Sequence, residues 1–202
     1  MASELTPSKR HYLRADERRR AILDVAGDLV AERGLSHLSM AGIATQAGVS
    51  RQLLYRYFSG IDDLVLAMVT HRFAAMIANY DALTSKRPPN RDGVAKNQID
   101  LALRLAPSDQ RLLRNVFGDV AQLAPEIGRA VVTIRQRLVD RWVTLIDDDP
   151  ARRSVLSAAV WAVFYALFGI WDYLALGVIT DDEARIIADR LASSIIDLAP
   201  SS

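Results

Sequence analysis

A three-residue turn between two short helices is the feature that most constrains the fold of this chain. The turn, Ala47-Gly48-Val49, lies within Leu38–Leu64, where apolar residues recur at helical spacing. Ser39 and Ser50 stand at the two expected N-caps, where a serine oxygen accepts a hydrogen bond from a free backbone N–H of the first turn. The small residues Ala44, Ala47 and Gly48 allow two helices to cross closely. The segment therefore predicts a helix-turn-helix.

The second of these helices carries side chains suited to contacting DNA. A helix-turn-helix places its second helix in the major groove, where arginine pairs with guanine, glutamine with adenine and an apolar group with the thymine methyl. Tyrosine hydroxyls and a further arginine suit backbone phosphates, although the same residues also fit a solvated helix surface. The predicted DNA contacts are Ser39, Ser50, Arg51, Gln52, Leu53, Tyr55, Arg56 and Tyr57. A flexible basic arm either adds salt-sensitive affinity or is a solvated tail, and it contains Lys9, Arg10, Arg14, Arg18, Arg19 and Arg20.

The rest of the chain predicts helices and no β-hairpin. A first helix is expected from Asp16 to Arg33, and a fourth follows a cap made by Ser59 with Asp62. Beyond a proline-containing loop at Thr84–Asp92, a capping box, Thr180-x-x-Glu183, precedes the last helix. The later helices are expected at about 93–106, 109–119, 125–147, 151–177 and 182–198. The predicted fold is all-α, with an N-terminal three-helix head and a C-terminal helical bundle.

Charge and composition narrow the classes of function. The formal net charge is +1, yet residues 1–58 hold 9 basic and 6 acidic side chains, an asymmetry typical of a small nucleic-acid-binding head. The chain has no cysteine, and its three histidines show no metal-ligand spacing. No catalytic residue, metal site or cofactor is therefore predicted. The polar N-terminus lacks the apolar centre of a signal peptide, which favours a cytoplasmic protein.

One segment, Ser154–Trp171, is uncharged for 18 residues. That length requires a membrane span to be considered. The serines, the alanines and the immediately following Asp172 argue against a span, and a helix that is apolar all round is also explained by burial at a dimer interface. We therefore expect a buried helix and no membrane.

The head resembles a known family. The stretch AGVSRQLLYRYFSGIDDL is similar to the AGVSxGTLYxYFxSKEEL stretch of TetR-type transcriptional regulators. The resemblance implies a homodimeric repressor whose two recognition helices lie about 34 Å apart on double-stranded operator DNA, and whose C-terminal domain binds an effector and dimerises. The sequence departs from the family pattern at Ile61, where a phosphate-contacting lysine is usual, at Gln52-Leu53 in place of Gly-Thr, and at Ser39 in place of threonine.

Under this reading, residues 1–60 form the arm and DNA-binding domain, and residues 61–202 form the effector-binding and dimerisation domain. Aromatic walls with a few polar groups are typical of small-molecule pockets, although a ring stripe at helical spacing is also typical of a core. The candidate effector residues are Asn97, Arg114, Phe117, Trp142, Trp161, Tyr165, Phe168 and Asp172. The candidate dimer-interface residues are Val160, Phe164, Ile187, Leu191 and Ile195.

Three alternatives stay open at this point. The first is a protein of the same fold that senses or sequesters a small molecule without specific DNA binding, an alternative motivated by Ile61. The second is a small helical enzyme, for which no nucleophile motif or obvious acid–base pair is present. The third is a protein anchored by the uncharged segment.

Overall fold

A computed structural model describes residues 7–84, 91–118, 123–146 and 149–197. The described residues form α-helices and one short 3-10 helix, with no strand among them, so the predicted all-α fold is confirmed. The helices are α1 (Pro7–Arg33), α2 (Met40–Gln46), α3 (Arg51–Tyr57), α4 (Ile61–Thr84), α5 (Arg91–Leu103), α6 (Pro107–Gly118), α7 (Pro125–Ile146), α8 (Arg153–Ala175) and α9 (Asp181–Asp197).

The start of α1 corrects the predicted flexible arm. The helix begins at Pro7 and not near Asp16, so the described part of the basic segment is continuous with the first helix. The side chains of Lys9, Arg10 and Arg14 lie outside the described part of the structure.

One other helix start and one helix cap also differ from the prediction. Helix α5 begins at Arg91, inside the segment predicted as a loop, while residues 85–90 lie outside the description. The cap of α4 is made by Asp63 and not by Asp62, because the Asp63 carboxylate accepts the Ser59 backbone N–H at 2.8 Å and its hydroxyl at 3.2 Å.

The described residues divide into two compact units. The first, which we call the head unit, runs to Met76 and also includes Arg111–Val131. The second, the bundle unit, comprises Ile77–Gln110 and the described residues from Val132 onwards. The two units are defined by their compactness alone. The functional boundary at residue 60 therefore stays a prediction.

The head unit is built around α1. Its apolar positions recur every three or four residues, and Leu23, Ala26 and Val30 are wholly buried. Gly34 ends the helix with a φ of 80°, a conformation that glycine adopts without steric cost. An edge-to-face pair, Phe73 on α4 and Phe117 on α6, fills this core with ring centroids 5.1 Å apart.

Polar contacts add specific links to the head unit. His71 and Arg72 on α4 lie 3.0 and 3.1 Å from the carboxylates of Asp24 and Asp28 on α1. The Asn115 amide of α6 donates a 2.8 Å hydrogen bond to a carbonyl oxygen near the C-terminal end of α1.

In the bundle unit, α9 packs against α5 and α8. Three alanines at four-residue spacing, Ala184, Ala188 and Ala192, form the buried face of α9 and permit a close helix approach. The predicted capping box before α9 is confirmed, since the Thr180 backbone N–H and hydroxyl donate to Glu183 Oε2 at 2.8 and 2.9 Å. The Glu183 N–H donates back to Thr180 Oγ1 at 3.3 Å.

Candidate nucleic-acid interface

The turn between α2 and α3 has the geometry predicted from its small residues. Gly48 adopts a φ of 65°, a left-handed conformation that disfavours a residue with a Cβ. The Val49 N–H donates to the Ala44 carbonyl at 3.0 Å, which closes the turn over the end of α2. With Ile43 and Leu54 wholly buried, the two helices share one small core.

Both predicted N-caps form. Ser39 Oγ accepts the Gly42 N–H at 3.1 Å, and Ser50 Oγ accepts the Leu53 N–H at 3.2 Å. Both serines are exposed. Because a hydroxyl carries a donor as well as two acceptor positions, each serine can cap its helix and still donate to a phosphate oxygen.

The exposed face of α3 consists of polar and aromatic side chains. Arg51, Gln52 and Arg56 are exposed, and Tyr55 is 58% exposed although it is a large ring. This face contains four of the six DNA contacts predicted within the helix. The other two, Leu53 and Tyr57, are half-buried and line a groove against α1.

The cations of this face are not neutralised within the described part of the chain. There, neither Arg51 nor Arg56 has a carboxylate within ion-pair distance, in contrast to Arg72, which is paired with Asp28 at 3.1 Å. An unpaired guanidinium on an exposed helix retains its capacity to bind a guanine edge or a phosphate.

The groove between α1 and α3 has a volume of about 170 Å³ and is lined by Ala15, Arg18, Leu53, Arg56 and Tyr57. Sequence reasoning assigned Arg18 and Arg19 alike to the basic arm, but the structure separates them. Arg18 lines the groove, whereas the Arg19 guanidinium stacks over the Phe58 ring, 5.1 Å from its centroid. Helical spacing alone gave no signal for this difference, because it depends on where α3 lies.

The predicted effector residues do not all lie in one unit. Arg114 and Phe117 belong to the head unit, where Phe117 is 2% exposed and packs on Phe73. In the bundle unit, rings of α8 form a continuous series that also contacts α7. The centroid distances are 4.8 Å for Trp142–Phe164, 5.8 Å for Trp161–Phe164, 5.0 Å for Trp161–Tyr165, 5.7 Å for Tyr165–Phe168 and 5.6 Å for Phe168–Trp171.

The two polar candidates of the bundle unit lie on different helices. Asn97 is half-buried and lines a surface groove between α5 and α9. Asp172 is half-buried on α8 and has a polar or ionic partner.

Sequence reasoning missed one buried polar group in the bundle unit. Gln98 on α5 is wholly buried, and neither of its amide atoms has a hydrogen-bond partner among the described residues. The indole Nε1 of Trp171 is buried and equally unpartnered there. Nothing in the helical pattern of α5 distinguishes Gln98 from a surface glutamine.

Three of the five predicted interface residues point into the chain's own core. Val160, Phe164 and Ile195 are 0%, 8% and 1% exposed, so they are already covered within one subunit. Leu191 is half-buried, and Ile187 is 40% exposed. The exposed stripe of α8 is a different set at helical spacing, consisting of Val155, Ala158, Ala162, Tyr165, Gly169 and Tyr173.

This helix is also the one described helix that is long and apolar enough to cross a membrane. Less than half of its most apolar window is buried. Length and composition do not distinguish a span from a helix whose exposed side is covered by another protein surface.

A helix-turn-helix with an exposed, cationic second helix defines a DNA-binding protein. Residues 22–68 match the family described as bacterial regulatory proteins, tetR family. The chain is 43% identical over 174 residues to the HTH-type transcriptional regulator BetI of Brucella canis, an alignment that covers 85% of this chain and 86% of that protein. The chain therefore belongs to the TetR family of transcriptional regulators, as its sequence resemblance implied.

Solved structures agree with the fold. A TetR-family regulator from Marinobacter aquaeolei superposes with a TM-score of 0.67 at 23% identity, covering 91% of this chain and 97% of that one. A transcriptional regulator from Saccharomonospora viridis, solved in complex with choline, gives a TM-score of 0.68 at 18% identity and covers 88% and 96% of the two chains.

Proposed function

We propose that this protein is a homodimeric, ligand-responsive repressor that binds a near-palindromic operator in the cytoplasm and releases it when a small, largely apolar effector binds. The observation that carries the proposal is the exposed face of α3, where Arg51 and Arg56 have no carboxylate partner within the described chain. Arg51 and Gln52, at the N-terminal end of α3, are the proposed base-reading residues, since this end of a recognition helix contacts base edges.

The remaining residues of the interface position the helix on the DNA backbone. Tyr55 and Arg56 are exposed on α3 and contribute a hydroxyl and a guanidinium suited to phosphate. The serine caps, Ser39 and Ser50, each have a hydroxyl proton to donate. Tyr57 lines the groove between α1 and α3, and its hydroxyl is a further proposed contact to the DNA backbone.

The dimer forms through the exposed stripe of α8 and the outer face of α9. Tyr165 and Tyr173 are 49% and 52% exposed, and Ile186 on α9 is 63% exposed, so burial of these side chains removes apolar surface from water. The small residues of the stripe, such as Ala162 and Gly169, allow a second α8 to approach closely. Ile187 and Leu191 stay in the proposed interface, while Val160, Phe164 and Ile195 do not.

The ring series of α8 supports an aromatic, largely apolar effector site in the bundle unit. The Arg135 guanidinium lies over the Trp161 ring, 4.6 Å from its centroid, in a cation–π arrangement. Choline therefore belongs in a panel of trial effectors, because the Saccharomonospora viridis regulator was solved with it and aromatic faces bind quaternary ammonium groups.

An effector changes DNA affinity only through its different affinities for the two conformations of the protein. Helix α4 gives the proposed route, since it contributes to the head unit up to Met76 and to the bundle unit from Ile77. A ligand-dependent shift of one part of a continuous helix is transmitted to the other part.

Binding to an operator recovered from genomic fragments tests the proposal. Arg51→Ala should cost about 1–3 kcal/mol at one base position and relax the preference there. Tyr55→Ala should weaken binding to all sequences with little change in salt dependence, because a hydroxyl releases no counterion. The charge-matched control is Arg137→Ala, an exposed arginine on α7. If Arg51→Ala and Tyr55→Ala both bind as tightly as the control, α3 is not the DNA-reading helix.

Sedimentation tests the interface separately. Tyr165→Asp should yield a monomer, whereas Val132→Asp, an exposed apolar position on α7, should stay dimeric. A dimeric Tyr165→Asp variant would place the interface elsewhere. Ligand binding without any DNA binding by the wild-type protein would instead favour the sequestering alternative.

A further inference from the structure

The groove between α1 and α3 has the chemistry of an anion site. Its lining residues are Ala15, Leu53 and Tyr57 together with two arginines, Arg18 and Arg56, which are its charged residues. Within the described chain neither guanidinium has a carboxylate partner or a hydrogen bond. Two unpaired guanidinium groups in one groove repel each other, and an anion between them removes that repulsion.

The position of α1 beside α3 is held by contacts outside the groove. Arg19, the residue after Arg18, stacks over Phe58, which is 1% exposed and follows directly after α3. Further along, Asp24 and Asp28 are paired with His71 and Arg72 of α4. These contacts fix the rotation of α1, which places Arg18 in the groove that Arg56 also lines.

We propose that Arg18 and Arg56 together bind a single DNA backbone phosphate, and that α1 is thereby part of the nucleic-acid interface. This inference rests on the proposed function. The arginine fork matches the geometry of phosphate oxygens, and two forks from different helices fix the position of one phosphate relative to both. The contact is independent of base sequence and orients α3, whereas Arg51 discriminates bases.

The decisive measurement is the salt dependence of DNA binding for Arg18→Gln, Arg56→Gln and the double variant. Each phosphate that a protein neutralises on duplex DNA contributes about 0.9 to the slope of log K against log salt concentration. The proposed operator complex contains two subunits, so if the two arginines of each subunit share one phosphate, the double variant loses about 0.9 of slope per subunit, or about 1.8 for the dimer. Each single variant should lose about tenfold in affinity per subunit, equally for operator and random DNA, and the double variant should lose less than the product of the two single losses.

Arg137→Gln is the matched control, because Arg137 is exposed on α7 and carries the same charge but belongs neither to the basic arm nor to the groove. It should leave the slope unchanged. Arg18→Lys should keep the salt dependence of the wild type and have a DNA affinity between those of Arg18→Gln and the wild type. The lysine ammonium keeps the positive charge but lacks the two-pronged hydrogen-bonding geometry of the guanidinium. Thermal unfolding of every variant should match the wild type, because the substituted side chains are on the surface.

Four outcomes would overturn the inference. An Arg18→Gln variant that binds like Arg137→Gln removes Arg18 from the interface. A slope loss of about 3.6 for the dimer in the double variant means two separate phosphates per subunit. If sodium phosphate displaces DNA more than sodium chloride of equal ionic strength, and Arg18→Gln abolishes that difference, the groove binds free phosphate. If the folded wild-type protein binds no DNA, both this inference and the proposed function fail.

Discussion

Replacing Gln98 by methionine should stabilise the protein. The side chain is wholly buried on α5, and neither Oε1 nor Nε2 has a hydrogen-bond partner within the described chain. A buried polar group that loses its hydrogen bonds with water and makes none in the fold costs about 1–3 kcal/mol. Methionine has a similar unbranched shape without the amide, so it fills the same space with little repacking.

The free energy of unfolding of Gln98→Met should therefore rise by about 1–3 kcal/mol. For a chain of this size, each kcal/mol corresponds to an increase in Tm of about 2–4 °C. Urea unfolding followed by circular dichroism measures the change, with all variants at one protein concentration because the stability of a dimer depends on it.

Gln136→Met is the matched control. Gln136 is exposed on α7, where its amide donates a 3.1 Å hydrogen bond to Asp140. This substitution should change stability by no more than about 0.5 kcal/mol. If Gln98→Met lowers the free energy of unfolding by about 1 kcal/mol or more while the control is neutral, the Gln98 amide is hydrogen-bonded in solution and the reasoning is wrong.

The remaining predictions concern other parts of the fold. Asn115→Ala should lower the free energy of unfolding by about 1 kcal/mol in urea titrations, because it removes the hydrogen bond from α6 to α1; an unchanged value would show that this bond is not formed in solution. Phe117→Ala should cost about 3–5 kcal/mol in the same assay, because its ring is buried against Phe73; a loss below about 1 kcal/mol would show that the ring is not part of the core. The backbone N–H and then the hydroxyl of Thr180 lower the pKa of Glu183 below its ordinary value of 4.5. The stability from this cap is present above pH 4.5 and is lost as the pH falls through the lowered pKa. Glu183→Gln should lack that acid-dependent loss in circular dichroism titrations, and an identical acid profile for both proteins would contradict the assignment.

Local signals in the sequence were sufficient to predict the helix-turn-helix. Serine caps, a left-handed glycine and small crossing residues act over a few neighbouring positions, so Ser50 and Gly48 marked the helix ends that the structure shows. The predicted start of α1 was wrong because the residues before Asp16 are polar and show no apolar periodicity. A charged segment with good helix formers can still continue a helix, and polarity alone does not end one.

The sequence alone did not indicate which side of α8 is buried and which side is exposed. Almost every residue from Ser154 to Trp171 is apolar, so periodicity does not indicate which side faces the core. Sequence reasoning assigned Val160 to the dimer interface and Tyr165 to the effector site, yet the first is wholly buried and the second is half exposed. Sequence reasoning did not place Arg18 and Arg56 in one groove for the related reason that this depends on how α1 packs against α3.

The most direct test of the central claim, sequence-specific DNA binding through α3, is selection from fragmented genomic DNA by the purified wild-type protein, with Tyr55→Ala in parallel and bound fragments identified by sequencing. The account predicts enrichment of a small set of near-palindromic sites by the wild type and loss of that enrichment in the variant. A folded wild-type protein that enriches no sites, or a variant that enriches the same sites equally well, would contradict it.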